Sequence, residues 1–216
     1  MIIGKYNKSV IVTYLGVLST AIGIFFILGN ETPLLTLPII CFMISGICDL
    51  FDGKIARMCK GRTEEDKEFG IQIDSLTDMI SFIAYPIIIL YGYSKGLNVG
   101  LNPWITIPIM ACFIIAGISR LAYFNVQAAL EDGPVKYYTG LPVTSTAIIF
   151  PAFYLLRYVV SAPIFVGINL ALFALVAFLM VFRFKLPKPK ANWWYITCSV
   201  LAVIMAALLI YIRFYK

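Results

Sequence analysis

Histidine is absent from the 216-residue sequence, which removes the commonest general base and the commonest zinc ligand. Charge is scarce as well. Charged residues make up 13% of the chain and hydrophobic ones 61%, where soluble domains run to about 25% and about 45–50%. With a mean hydropathy of +0.92, that balance excludes an ordinary soluble domain and reads as an integral membrane protein in one unit, residues 1–216. The cysteines (Cys41, Cys48, Cys59, Cys112, Cys198) form no C-x-x-C pair. Most lie in apolar runs, so they read as small core residues rather than a disulfide framework or a zinc site. There is no internal repeat and no low-complexity tract. The net charge of +6 serves as a topology signal and suits anionic lipid; nothing in its pattern points to nucleic acid.

What is present is a succession of apolar runs long enough to span a bilayer. They predict an all-α, polytopic transmembrane helical bundle of about seven spans: 9–28, 34–58, 69–93, 104–127, 141–160, 162–182 and 193–212. The first run is too long for a signal-peptide core and lacks a small-residue cleavage site, so it counts as a helix. Asn30-Glu31-Thr32-Pro33 reads as a turn, 95–103 as a loop and 131–140 as a polar connection. Pro86 and Pro151 are expected to kink the third and fifth spans. With the N-terminus in the cytoplasm, Lys5, Lys8, the basic residues of 57–67, Lys136 and the Arg183, Lys185, Lys188, Lys190 group all fall on the inner side. The sequence thus predicts a cytoplasmic-membrane protein whose acidic stretch opens to the cytoplasm.

That stretch, 49–78, is where the charge is concentrated. Asp49 and Asp52 stand three apart and Asp74 and Asp78 four apart, spacings that put each pair on one helix face. The pairs fall on the second and third spans, joined by a charged turn. An Asp near the bilayer centre costs roughly 2.5–3.5 kcal/mol on insertion scales, so four would cost on the order of 10 kcal/mol. Divalent metal would offset this. Mg²⁺ and Mn²⁺ take oxygen ligands and bind through a few carboxylates plus substrate phosphate, and two such ions balance four carboxylates. A paired-metal site of this kind clamps the attacking and leaving oxygens of a phosphoryl displacement. Gly53, one turn after Asp49, and Gly70, one turn before Asp74, clear space for backbone or phosphate. Ala56 is small on the Asp49 face, and Arg57 carries a fork of donors suited to phosphate. A cation transporter is the alternative from a different class, since intramembrane aspartates also coordinate ions in transit. Transporters often carry repeated halves with broken helices, whereas these acids cluster in one place.

Asp49-x-x-Asp52-Gly53-x-x-Ala56-Arg57 followed by Gly70-x-x-x-Asp74-x-x-x-Asp78 resembles the signature of the CDP-alcohol phosphotransferase family. Its members are membrane enzymes that join a CDP-activated group to an alcohol and release CMP. The linker between Arg57 and Gly70 is longer than in the shortest family forms. Asp74-Ser75-Leu76-Thr77-Asp78-Met79-Ile80-Ser81-Phe82 is similar to the D-S-L-x-D-x-x-S-F pattern of the phosphatidylserine synthase branch. Arg120-Leu121-Ala122-Tyr123-Phe124-Asn125 resembles that branch's R-x-x-R-F-N element, with Tyr123 in place of the second arginine, and Gly140-Leu141-Pro142 resembles its G-L-P.

The resemblance implies a six-helix core plus a C-terminal helix. The implied reaction transfers a phosphatidyl or archaetidyl group from CDP-diacylglycerol or CDP-archaeol to L-serine. It implies Asp49, Asp52 and Asp74 as ligands of Mg²⁺ or Mn²⁺, two ions in number, and Asp78 as a further ligand and the base for the acceptor hydroxyl. Gly53, Ala56, Arg57, Gly70, Thr13 and Ser75 would lie along the nucleotide and phosphates, and Arg120 and Asn125 at the serine. It further implies a homodimer. Several readings stay open. Thr13 could instead bond its own helix backbone. Arg120 could pair an aspartate across the bundle, leaving Arg57 to receive the serine carboxylate. The acceptor could be inositol phosphate or glycerol phosphate.

Overall fold

In hydrocarbon every backbone N–H and C=O needs an internal partner, which leaves a chain this apolar little choice but helix. The computed structural model describes residues 4, 8–29, 36–59, 61, 63–130, 137–187 and 191–215, and these are overwhelmingly helical. The elements are α1 (Lys8–Gly29), α2 (Thr36–Met58), α3 (Glu64–Asp78), a π-helical turn (Met79–Ala84) and α4 (Tyr85–Gly96). They are followed by α5 (Pro103–Leu130), α6 (Thr146–Tyr154) between two 3₁₀ turns (Val143–Ser145 and Leu155–Tyr158), α7 (Ala162–Val181) and α8 (Ala191–Tyr215). Since α3, the π turn and α4 run on without a break, seven rods follow one another among the described residues. By length and composition, Ser9–Gly29, Glu64–Gly96, Pro103–Gln127 and Ala162–Val181 are able to cross a membrane. Large apolar side chains such as Leu15, Phe25, Ile107, Ile115, Val203 and Ile204 face outward, a distribution that suits lipid rather than water. The protein is a polytopic helical membrane bundle.

Local chemistry explains where the rods depart from the sequence reading. The third begins at Glu64 rather than near residue 69, because Thr63 caps it. Thr63 Oγ1 accepts from the Asp66 N–H at 3.1 Å while Asp66 Oδ2 accepts from the Thr63 N–H at 2.9 Å, a reciprocal capping box. Part of the expected charged turn is therefore helix. The same rod absorbs Pro86 through the π turn just before it. Proline has no N–H for the Phe82 carbonyl four residues back, and that carbonyl accepts from Thr146 Oγ1 at 3.2 Å instead. The fifth rod is a short α-helix between two 3₁₀ turns. The Asn30–Pro33 turn and most of the 131–140 connection lie outside the described residues.

One element has no counterpart in the sequence reading. Tyr137–Thr139 (β1) pairs antiparallel with Lys185–Pro187 (β2), Tyr138 opposite Leu186, and ties the connection before α6 to the one after α7. Gly140 follows at φ +74°, a region that favours glycine. Its N–H donates to Phe184 O at 2.8 Å, and the Leu141 N–H donates to Leu179 O at 3.0 Å, satisfying a carbonyl in the last turn of α7.

The interior is closely packed. α1 makes its most extensive contact with α2, along a seam of small residues (Thr13, Gly16, Thr20, Gly23) that lets the backbones approach. Phe42, Phe82 and Tyr85 meet edge-on or tilted, and Tyr85 Oη donates to Pro38 O at 2.8 Å. Gly46 on α2 faces α6, where an added Cβ would stand 2.6 Å from the Ala147 Cβ. Neither atom can swing aside, so Gly46→Ala must push the two helices apart. We expect it to cost about 1–3 kcal/mol, the usual penalty of overpacking, read as a lower unfolding midpoint in detergent; an unchanged midpoint would mean that α6 is loosely held.

Candidate active site

The acid-bearing helices are set by α1, which packs against both α2 and α3. Asp49 of α2 and Asp74 and Asp78 of α3 each present a carboxylate oxygen, and these atoms all lie within 4.8 Å of one another. Asp78 is buried, while Asp49 and Asp74 are half-buried, so the cluster has an open side and a closed floor. The Asp49 and Asp78 carboxyls are within hydrogen-bonding reach of each other. Two unit charges about 4 Å apart repel by about 4 kcal/mol at an effective dielectric near 20. The triad therefore calls for positive charge, and its all-oxygen donor set is the kind that hard divalent ions take.

Asp52 stands outside this group of three. It is 5% exposed, and its Oδ2 accepts from Thr13 Oγ1 at 2.5 Å. Thr13 also has the Ser9 carbonyl within 3.1 Å, so both readings of that hydroxyl find a partner. The charge-assisted bond is the shorter and stronger one. Thr13 is thus an Asp52 partner on α1, and Asp52 stays close enough to Asp74 for their charges to interact.

The remaining predicted positions are distributed around the cluster. Arg57 is exposed at the end of α2 and folds back over Gly53, where an added Cβ would stand 3.7 Å from Arg57 Nη1. Ala56 and Gly70 are half-buried. Ser75 and Asn125, expected at phosphate and at serine, bond each other: Ser75 Oγ donates to Asn125 Oδ1 at 2.9 Å. That bond joins α3, beside Asp74, to α5. Arg120 lies one helical stretch earlier on α5 and is 6% exposed. Its Nε donates to Leu141 O at 3.2 Å, and its guanidinium carbon is 5.9 Å from the Phe124 ring centre. The arginine and the Gly-Leu-Pro element, noticed separately in the sequence, are therefore one construction.

Arg120 also lines a cavity of about 200 Å³ with Ser119, Tyr123, Thr139, the end of α7 and, just beyond that helix, Arg183. Arg183 is the residue that the sequence reading missed, having assigned it to topology alone. Its only sequence signal was a cation directly after an apolar span, which any inner-side helix end would share. No aspartate of the cluster is among the described residues lining this cavity. The structure thus separates an acid cluster from an arginine cavity, with α5 linking them.

The family model for CDP-alcohol phosphatidyltransferase matches residues 7–173, a range that holds the acid cluster and Arg120. Among curated relatives, the chain is 31% identical over 172 residues to a CDP-diacylglycerol–serine O-phosphatidyltransferase of Helicobacter pylori, covering 78% of this chain and 68% of that protein. It is 32% identical over 111 residues to the Saccharomyces cerevisiae protein of the same name, covering 49% of this chain and 37% of that one. It is 32% identical over 141 residues to an archaetidylserine synthase of Methanothermobacter thermautotrophicus, covering 65% and 56%. With three of the four signature aspartates folded into one cluster and the match extending across most of the bundle, the chain belongs to the CDP-alcohol phosphatidyltransferase family of membrane transferases.

Proposed function

We propose that this protein transfers a phosphatidyl or archaetidyl group from a CDP-linked lipid to the hydroxyl of L-serine, releasing CMP. The observation that carries the reading is the convergence of Asp49, Asp74 and Asp78 within 4.8 Å, in a chain whose relatives are named for serine transfer to CDP-diacylglycerol or for archaetidylserine synthesis. Asp49, Asp74 and Asp78, with Asp52 beside them, would hold two ions of Mg²⁺ or Mn²⁺. Bound there, divalent metal supplies Lewis-acid neutralisation of the pyrophosphate and of departing CMP. Arg57, exposed over Gly53, would contact phosphate. The basic residues around the acid-bearing turn favour an active site facing the cytoplasm in the cytoplasmic membrane.

In the acceptor half, Arg120 and Arg183 on a cavity of about 200 Å³ suit a small anionic acceptor. The volume is below the about 300–1,000 Å³ of drug-sized ligand sites, and a planar guanidinium is the natural receptor for a carboxylate. Asn125, on the same helix as Arg120 and bonded to Ser75, relates that cavity to the acid cluster. Arg120→Lys keeps the charge and loses the fork. We expect it to raise the serine KM about tenfold, one bidentate hydrogen bond's worth, with the KM for CDP-lipid unchanged. If neither constant moves, the carboxylate is received elsewhere.

The decisive test is purified protein with a CDP-linked lipid, Mn²⁺, and serine, inositol, inositol phosphate or glycerol phosphate in turn. CMP release with serine alone is the expected result. Release with one of the phosphorylated acceptors would reassign the substrate, and no release with any would remove the proposal.

A further inference from the structure

We infer that a buried hydroxyl cluster, Thr20 with Ser45 and Ser81, positions the acid cluster for its cation; the inference rests on reading Asp49, Asp74 and Asp78 as a divalent-metal site. Thr20 of α1 is 0% exposed, and Ser45 and Ser81 are each 2% exposed. Thr20 Oγ1 donates to Ser81 Oγ at 3.0 Å and lies 3.1 Å from Ser45 Oγ. Ser45 Oγ in turn donates to the Gly16 carbonyl at 3.1 Å. Three polar side chains from three rods thus meet in an apolar interior, at a level defined by the acids. Ser45 is four residues before Asp49 and so on the same face of α2, and Ser81 is three residues after Asp78.

The π turn gives this contact its consequence. Ser81 is the one polar side chain in Met79–Ala84, and the turn's wide pitch is marked by the Tyr85 N–H bonding Ile80 O. A π turn inserts about one extra residue into a helix, and each residue turns the helix by about 100°. The segment beyond it is fixed by the Tyr85 hydroxyl bonded to Pro38 O, and Phe82, inside the turn, is held to α6 through Thr146. The segment before it carries Asp74 and Asp78. The angle between them is set inside the π turn, and the Thr20–Ser81 bond ties that turn to α1, beside the Phe42–Phe82 ring contact that joins it to α2. Released at Ser81, the turn would shift against α1 and carry Asp78, three residues before it, and Asp74 away from Asp49. Thr20, Ser45 and Ser81 are therefore positioning residues, one helical turn below the carboxylates that they orient.

The test measures Mn²⁺ binding to the purified protein by electron paramagnetic resonance, independently of turnover. Thr20→Val, which keeps the shape and loses the hydroxyl, should weaken Mn²⁺ binding by about 10–100-fold, the range seen when partners behind metal ligands are removed. Thr20→Ser should bind as the parent does. Ser81→Ala is the second variant, in case Thr20→Val does not fold, and should weaken binding likewise. Phe173→Leu, in the α5–α7 core, controls for destabilisation alone and should leave Mn²⁺ binding unchanged while lowering the unfolding midpoint. Parent-like Mn²⁺ binding by folded Thr20→Val or Ser81→Ala would overturn the inference, as would equal weakening by Phe173→Leu. A parent protein that binds no Mn²⁺ would instead overturn the metal reading beneath it.

Discussion

Asp49→Asn and Asp74→Asn should each lower turnover by at least about a thousandfold, in protein that remains folded and without a loss of stability. Asparagine keeps the size of the side chain and one of its oxygens, so packing around α2 and α3 is preserved. What it removes is one of three charges whose oxygens lie within 4.8 Å of one another. Without metal those charges repel, so the substituted proteins should unfold at the same temperature as the parent or a higher one. With metal the parent gains stability by mass action, and the variants should lose that gain together with activity. Several kcal/mol of charge stabilisation at the transition state correspond to the expected loss, at about 1.4 kcal/mol for each factor of ten. The paired measurement is turnover at saturating Mn²⁺ and the unfolding midpoint with and without it. Normal turnover by either variant would sink the metal-site reading, whereas a collapsed midpoint without metal would show that the aspartates serve folding.

Asp78→Asn should reduce kcat by about 10²–10⁴, the usual contribution of a positioned general base, with a smaller change in CDP-lipid binding. A serine hydroxyl is a poor nucleophile until its proton is removed. The sequence offers no histidine, and Asp78 is the most deeply buried of the three converging carboxylates, one turn beyond Asp74 on the same face. In the reaction we propose, the serine oxygen forms a bond to the lipid-bearing phosphorus. The bond from that phosphorus to the CMP oxygen breaks, its electron pair leaves with CMP, and the serine proton passes to Asp78. One displacement predicts inversion at a phosphorus made chiral by isotopic labelling. It also predicts that labelled CMP does not exchange into CDP-lipid unless serine is present. Retention, or exchange without serine, would mean that a protein carboxylate is phosphorylated first, and Asp78 would lose its assignment as base.

Much of this site was legible in the chain because local spacing carries it. Asp49 and Asp52 at three apart, and Asp74 and Asp78 at four, announce paired carboxylates on helices. Which of the four converge was not legible. At about 100° per residue, residues three apart diverge by about 60° around a helix, enough for Asp49 to face α3 while Asp52 turns to Thr13. That choice depends on α1, whose residues are remote in sequence from both acids. The same limit hid Arg183, since a cation after an apolar span looks alike whether it marks topology or lines a cavity. It hid the Thr20–Ser45–Ser81 cluster too, because a hydroxyl within an apolar run bonds its own backbone as readily as a neighbouring helix.

Composition and periodicity by themselves determined that this chain is a helical membrane bundle, since a chain this apolar must satisfy its backbone within each segment. They also determined that most of its acidic residues gather between residues 49 and 78. Tertiary structure decided the depth and membership of the acid cluster, the partnership of Ser75 with Asn125, and the joining of Arg120 to the Leu141 carbonyl. It also decided the β1–β2 ribbon. The reason is the same in each case: helix formation is satisfied by bonds four residues apart, whereas these features depend on the rotation and closeness of rods whose contacting residues lie tens of positions apart in the chain.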